Sequence, residues 1–422
     1  MSRIISLFAS LVFFLIFFFV LISPQFVFLP YELSVIVVPV AALSALGIYL
    51  KSKLSRSFLF FIIPWGFSFG YILTLYVLQG QSDSEFVVSV GKLPFFFFAG
   101  HFVVAKIFKL GELSDQSVRR LANLIFICLL AQAIVMSLSY IYPWFENFLS
   151  LFVMKEGLDA RVGGFQSLGR DSVSMNQAAG ALFLFFVMLF MKRRQAVTNI
   201  YYFSALLLIV GSSILSGRTG FFLFVASGAI FLSGKFMLDF LNRPTAQIRN
   251  LSIAISVLLM MLCVYPFLKD YAFESRSRVI SYSDPIYRIL EPLRKQGEIS
   301  SLEKLRGDMV IFPESDGHLI FGDGHYGRSE GVYVSSDIGY IRMIYGMGLV
   351  GLTLFLSIFA SMALNVSRLF IPSKIKFAFL SFLLFGFLGH LKIVYLSSGA
   401  FFFLLSIFYF LVLKVAMRRD NT

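Results

Sequence analysis

Charge is scarce in this chain: only 14% of its 422 residues are Asp, Glu, Lys or Arg, against 58% apolar, with a mean hydropathy of +0.84. A soluble globular protein sits at roughly a quarter charged and half apolar, so the composition indicates a polytopic membrane protein. Cysteine is almost absent. Cys128 and Cys263 both fall inside apolar runs, which excludes a disulfide framework and reads as inert packing. Also missing are a Walker motif, a GxGxxG after a strand, an HExxH and a CxxC. Those gaps argue against an ATP-driven transporter and a zinc enzyme, and no metal or cofactor is expected. The net charge of +13 would suggest nucleic acid in a soluble domain. In a membrane protein it belongs to the cytoplasmic loops, and no nucleic-acid partner is expected.

Apolar runs long enough to cross about 30 Å of hydrocarbon lie at 4–23, 33–50, 57–78, 86–105, 121–142, 176–191, 199–215, 219–234, 250–268, 338–364, 375–391 and 396–413. The expected fold is an all-α polytopic membrane protein of about twelve transmembrane helices, one integral membrane domain over 1–422. The seventh and eighth runs are short for a span. The first has the length of a full span and no small-x-small cleavage site, so it reads as a retained helix and not as a signal peptide. The Phe-rich runs read as lipid-facing bulk, and no internal repeat is evident.

Every second loop is basic, from Lys51, Lys53 and Arg56 through Lys192, Arg193 and Arg194 to Lys414, Arg418 and Arg419. The alternate short loops, PQFVFLPYE and QGQSDSE, carry no Lys or Arg. The positive-inside rule then places both termini in the cytoplasm. Three segments fall on the opposite side: a first loop at 143–175, a tight SGRT turn at 216–219, and a large loop at 269–337 between helices 9 and 10. The large loop mixes charges of both signs with Tyr, Leu and Ile, which suits a small folded subdomain better than a linker.

That outer side is rich in arginine, against the usual topological bias: Arg161 and Arg170 in the first loop, Arg218 in the turn, Arg276, Arg278 and Arg328 in the large loop, then Arg342 in the helix after it. Arginine presents a fixed fork of donors that matches phosphate oxygens, so an anionic substrate at this face would favour them. Arg218, in SSILSGRTGFFLF, sits at a Gly-flanked turn between two short helices, a setting that places charge and helix-start amides at membrane depth. An arginine snorkelling to the interface is the alternative. Arg342 shares a helix face with Gly339 and Gly346, small residues that admit a neighbouring helix or a ligand. Asp337 is about 140° round that helix from it, which disfavours an intrahelical ion pair.

Two groups lead as proton acceptors. His325, in GDGHYG, suits a mobile loop closing on a ligand or an ordinary surface turn. Asp337, in SSDIGY, can cap the helix start or serve as a base. Glu314, Asp316 and His318 form a weaker cluster. His101 reads as a packing residue, and Lys92 and Lys392 as snorkelling lysines.

The helix layout, the SGRTG turn, the late outer loop and SSDIGYIRMIYGMGLVG together resemble bacterial O-antigen or capsule repeat-unit polymerases of the Wzy type, which are similar in architecture to O-antigen ligases. The resemblance spans nearly the whole chain by topology and these short motifs by residue. It implies a multi-pass inner-membrane protein acting at the periplasmic face. There a growing glycan leaves undecaprenyl diphosphate and joins the next lipid-linked unit, with a chain-length regulator and a flippase as partners. Arg218 matches an arginine that contacts the diphosphate, and Arg276 and Arg278 stand where ligases carry another. Ligases have a His-Asn pair where this chain has Ser336 and Asp337, which argues against a ligase and leaves the general base open. A flippase, the other alternative, would want repeat symmetry and a charged central cavity.

Overall fold

The computed structural model describes residues 2–22, 24, 34–51, 56–79, 84–108, 114–153, 165, 170–187, 206, 208–213, 218–242, 309–325 and 336–420. Among them the chain is all-helical, without strands. The helices are α1 (Ser2–Leu21), α2 (Ser34–Lys51), α3 (Arg56–Gln79), α4 (Ser84–Gly91), α5 (Leu93–Ile107), α6 (Asp115–Ile141), α7 (Pro143–Leu149), α8 (Arg170–Val187), α9 (Arg218–Asn242), α10 (Asp316–Phe321), α11 (Gly339–Arg368), α12 (Ser373–His390) and α13 (Gly399–Asp420). Among the described residues six stretches are long and apolar enough to cross a bilayer: Phe58–Leu78, Phe86–Ile107, Asp115–Ser139, Gly339–Arg368, Ser373–His390 and Gly399–Met417. Shorter apolar stretches occupy Ile36–Ala45, Ser172–Val187 and Thr219–Ser233. The run expected at 250–268 and most of the large loop lie outside the described residues, as does Cys263.

Apolar sequence makes these segments helical because in hydrocarbon the backbone has no water to bond, and a helix satisfies it internally. Proline breaks that bookkeeping, and neighbours repair it. Pro64 inside α3 has no N–H for the Phe60 carbonyl, and the Ser361 hydroxyl of α11 donates to that oxygen. Pro94 leaves the Val90 carbonyl without its helical partner, and the run expected at 86–105 breaks at Lys92 into α4 and α5. Trp65 Nε1 of α3 donates to Val90 at 3.0 Å. Both of these prolines are thus matched by a donor on an adjacent helix.

The Phe-rich runs are mostly core, contrary to the lipid-facing expectation. Phe97, Phe401, Phe402, Phe403 and Phe408 are fully buried. Phe97 stacks on Phe61 at 4.0 Å, and Phe408 packs among Phe183, Phe186, Phe379 and Phe382. α13 runs through the middle of the bundle, against α1, α5, α8, α11 and α12. Lipid tails are as apolar as phenylalanine, so hydropathy cannot tell a buried helix from a lipid-facing one. Close approach can: a Cβ on Gly100 would fall 2.7 Å from that of Ser406, so α5 and α13 touch backbone to backbone there. His101 packs edge-on against Phe410 at 4.7 Å, and Cys128 is buried, in keeping with their expected packing roles.

Replacing Trp65 with Phe keeps an aromatic side chain, smaller than the indole, and removes the donor, leaving the buried Val90 carbonyl unpaired at a cost of about 1–3 kcal/mol on top of the lost packing. The thermal midpoint of the detergent-solubilised protein should fall measurably. An unchanged midpoint would show that neither this bond nor the indole packing carries stability.

Candidate functional site

Several helix ends converge on one end of the bundle, opposite to the end where α13 finishes. α8 and α9 start there side by side, opened by Arg170 and Arg218. The Gly220 N–H donates to Ser174 Oγ at 3.1 Å, and a Cβ on Gly220 would lie 2.2 Å from the Ser174 carbonyl oxygen. Only glycine lets these two helix starts come so close. α12 ends beside them: a Cβ on Gly389 would meet the Met175 methyl at 2.6 Å. α11 starts against the same end, since a Cβ on Gly339 would lie 2.5 Å and 2.7 Å from the Ile393 and His390 carbonyl oxygens. In the turn 391–398 the Ser398 hydroxyl donates to Asn176 Oδ1 at 3.4 Å. The N-termini of α8, α9 and α11 therefore meet around the end of α12, which brings three sets of helix-start amides to one end of the bundle.

Asp337 stands at the start of α11. The N-cap there is Ile338, whose side chain makes no capping bond. Ser336 shapes the approach: its hydroxyl accepts from the Ile338 N–H at 3.1 Å and donates to the Met309 carbonyl at 2.7 Å. Asp337 Oδ2 lies 4.0 Å from Lys392 Nζ, with the side chains 38% and 25% exposed. At that distance and exposure the pair contributes at most about 1 kcal/mol, so its effect is on orientation more than stability. Lys392 thus faces a carboxylate instead of simply snorkelling. Arg342 lies partly buried in the first turn of α11, its N–H bonded to the Ile338 carbonyl at 3.0 Å.

His325 is held by a docking arrangement further down α11. Gly348, at φ +63°, interrupts α11, so the Tyr345 and Gly346 carbonyls lose their regular partners four residues on. The Asp323 and Gly324 amides fill those places, at 2.8 and 3.2 Å. Gly322 (φ +82°) and Gly348 pack back to back: a Cβ on Gly348 would lie 2.3 Å from the Ile320 carbonyl oxygen. The Tyr71 hydroxyl of α3 clamps the Phe321 carbonyl at 2.8 Å. On this platform the Asp323 carboxylate accepts the His325 N–H at 2.9 Å, and His325 Nδ1 lies 3.2 Å from the same oxygen. Glu314, Asp316 and His318 are exposed on the preceding stretch.

His390 is the residue that sequence reasoning overlooked. It is fully buried at the end of α12, and its Nδ1 accepts the Tyr395 and Leu396 amides at 3.0 and 3.3 Å. Nδ1 therefore carries no proton, and Nε2 points at Met343 Sδ, 3.2 Å away. The Tyr340 ring stands edge-on to it at 4.6 Å. This one imidazole fixes the turn that carries Lys392. The sequence signal was slight: one of four histidines, closing an apolar helix two residues before a lysine. Tyr395 lies fully buried in the same turn, and burial pushes its hydroxyl pKa well up.

Of the residues singled out in the sequence, Asp337, Arg342 and the helix starts at Arg170 and Arg218 come together at this end, with the His325 platform docked on α11. Arg161, Arg276 and Arg278 lie outside the described residues. Among the described residues no group of three or more His, Cys, Asp or Glu is placed to hold a metal ion.

Gly348→Ala should undock residues 322–325, raising hydrogen exchange of the Asp323 and Gly324 amides by about 10-fold or more, the loss of one to two hydrogen bonds; unchanged protection would refute the docking arrangement. His390→Asn, which keeps an acceptor near the Nδ1 position, should retain more thermal stability than His390→Leu, which leaves two buried amides unpaired. Equal stability would deny the imidazole its role in the turn.

No protein-family model and no curated protein matches this chain, so the chemistry of the site rests on its own residues.

Proposed function

We propose that this protein is a membrane glycosyltransferase that polymerises undecaprenyl-diphosphate-linked oligosaccharide repeat units at the periplasmic face of a bacterial inner membrane. In this reading the chain crosses the membrane about twelve times with both termini cytoplasmic, and the end where α8, α9 and α11 begin faces the periplasm. The observation that carries the reading is the meeting of three helix N-termini, two opened by arginines and the third flanked by Asp337 and Arg342. Helix-start amides and guanidinium groups together suit a diphosphate.

The reaction asks little else of the protein. An acceptor hydroxyl attacks the anomeric carbon of the donor glycan, the bond from that carbon to the phosphate oxygen breaks, and the lipid diphosphate leaves with the electron pair. Arg218, Arg170 and Arg342 stabilise the charge that develops on the diphosphate. Arg161, Arg276 and Arg278, in loops assigned to the same face, complete the anion-binding set. Asp337, beside Lys392, takes the hydroxyl proton, with His325 as the other candidate base. A ligase would want the His-Asn pair that Ser336 and Asp337 replace.

Deleting the gene should collapse the surface glycan ladder to core plus a single repeat unit. Arg218→Ala at normal protein level should do nearly the same, since removing one such charge-stabilising donor slows a reaction by about 10²–10³. Core with no repeat unit would point to a ligase or flippase, and an unchanged ladder in the Arg218→Ala strain would overturn the role of that arginine. Asp337→Asn and His325→Gln separate the two candidate bases, the true one abolishing polymer.

A further inference from the structure

α6 and the segment after it carry an exposed stripe that changes character along its length. Reading from the start of α6, the outward positions are Gln116, Arg120 and Asn123, then Ile127, Ile134 and Ile141. The isoleucines recur every seven residues and so stay on one helix face. From Asn123 to Ile141 the rise is about 27 Å at ~1.5 Å per residue, which matches a hydrocarbon layer of about 30 Å. The stripe therefore runs from a polar edge, across lipid, to a second boundary at Ile141.

At that boundary the chain turns. Pro143 has no N–H to continue α6, and Tyr142 takes up an extended conformation before α7. The residues that follow show two faces. Leu149 and Val153 are buried against the body, at 7% and 2% exposure. Tyr142, Trp144, Phe148, Leu151 and Phe152 point outward, Trp144 at 66% and Leu151 at 68%. The aromatics form a chain of ring contacts, Tyr142–Trp144–Phe145–Phe148–Phe152, each between 5.3 and 6.5 Å. Such a contiguous outward aromatic face marks an interaction surface, and it follows directly on the exposed isoleucine stripe of α6.

We propose that residues 142–153 are an interfacial anchor, lying in the headgroup layer of the bilayer with the aromatic face turned into the acyl boundary. Tyr and Trp favour that layer, where an apolar ring and a polar N–H or O–H are both accommodated. α6 runs antiparallel to α8: Gln177 Nε2 donates to the Leu129 carbonyl at 2.9 Å, and Met136 packs with Val173. The anchor therefore sits on the same end of the bundle as the candidate site and fixes that end's depth at the membrane surface. The inference stands on the membrane character of the chain and does not depend on the proposed reaction.

The protein holds two tryptophans, Trp65 and Trp144, which makes the test direct. The full chain is reconstituted in phosphatidylcholine vesicles brominated either near the glycerol or near the acyl chain end, and the Trp144 signal is isolated as the difference between the native protein and Trp144→Phe. Trp65→Phe, with Trp144 alone, gives a second reading; should it fail to fold, the difference measurement still decides. The expected result is stronger quenching of Trp144 by the shallow bromines than by the deep ones, with weak quenching by iodide present on both sides. Quenching by iodide alone would put the aromatic face in water, open to a soluble partner or a glycan, and overturn the proposal. Strongest quenching by the deep bromines would bury the segment in hydrocarbon and overturn it equally.

Discussion

The constraint on which the structure depends is the backbone carbonyl that has lost its helical partner in a medium without water. An unpaired peptide oxygen in hydrocarbon is expensive enough that a break in a helix survives only where a neighbour supplies a donor. Three such repairs are on view. Pro64 frees Phe60, answered by Ser361; Pro94 frees Val90, answered by Trp65; Gly348 frees Tyr345 and Gly346, answered by the Asp323 and Gly324 amides. The first two tie α3 to α11 and to the α4–α5 junction. The third does something further, because its donors come from the polar segment before α11. An interrupted helix thereby becomes a socket for a loop that carries His325.

The same logic governs the end of the bundle where the candidate site lies. Helix starts expose amides that need acceptors, and here α8, α9 and α11 gather theirs within glycine-permitted contact. Ser174 takes one amide, Ser336 another, and His390 takes two more from the turn that follows α12. Beside these satisfied amides stand the charged side chains of Arg342, Lys392 and Asp337. A diphosphate bound there would meet both kinds of donor, backbone amides at the helix starts and the cationic side chains beside them.

How far the sequence carried depended on the kind of signal. Helix positions came from long apolar runs: α3, α11 and α12 begin and end close to where hydropathy put them, while α6 starts six residues before its expected run, at the polar turn capped by Ser114. Asp337, Arg342 and the SGRTG turn stood out because charge inside or beside an apolar run is rare. Phenylalanine burial was not legible: the same residue serves lipid contact in α3 and core in α13. The break at Lys92 was signalled by Pro94, yet the donor that makes it tolerable, Trp65, is far off in sequence. Pairing of Asp337 with Lys392 and the socket at Gly348 both join segments brought together only by tertiary packing. His390 had no motif around it, since its partners are backbone amides, which any sequence supplies.

The most direct test of the central claim is turnover by the purified full-length protein in vesicles holding a lipid-diphosphate-linked oligosaccharide repeat unit. The account predicts glycans longer than the unit supplied, with one lipid diphosphate released for each new linkage. Unlengthened glycan, with the lipid-linked unit merely exchanged between leaflets, would contradict it and make the gathered helix ends a passage instead of a catalytic face.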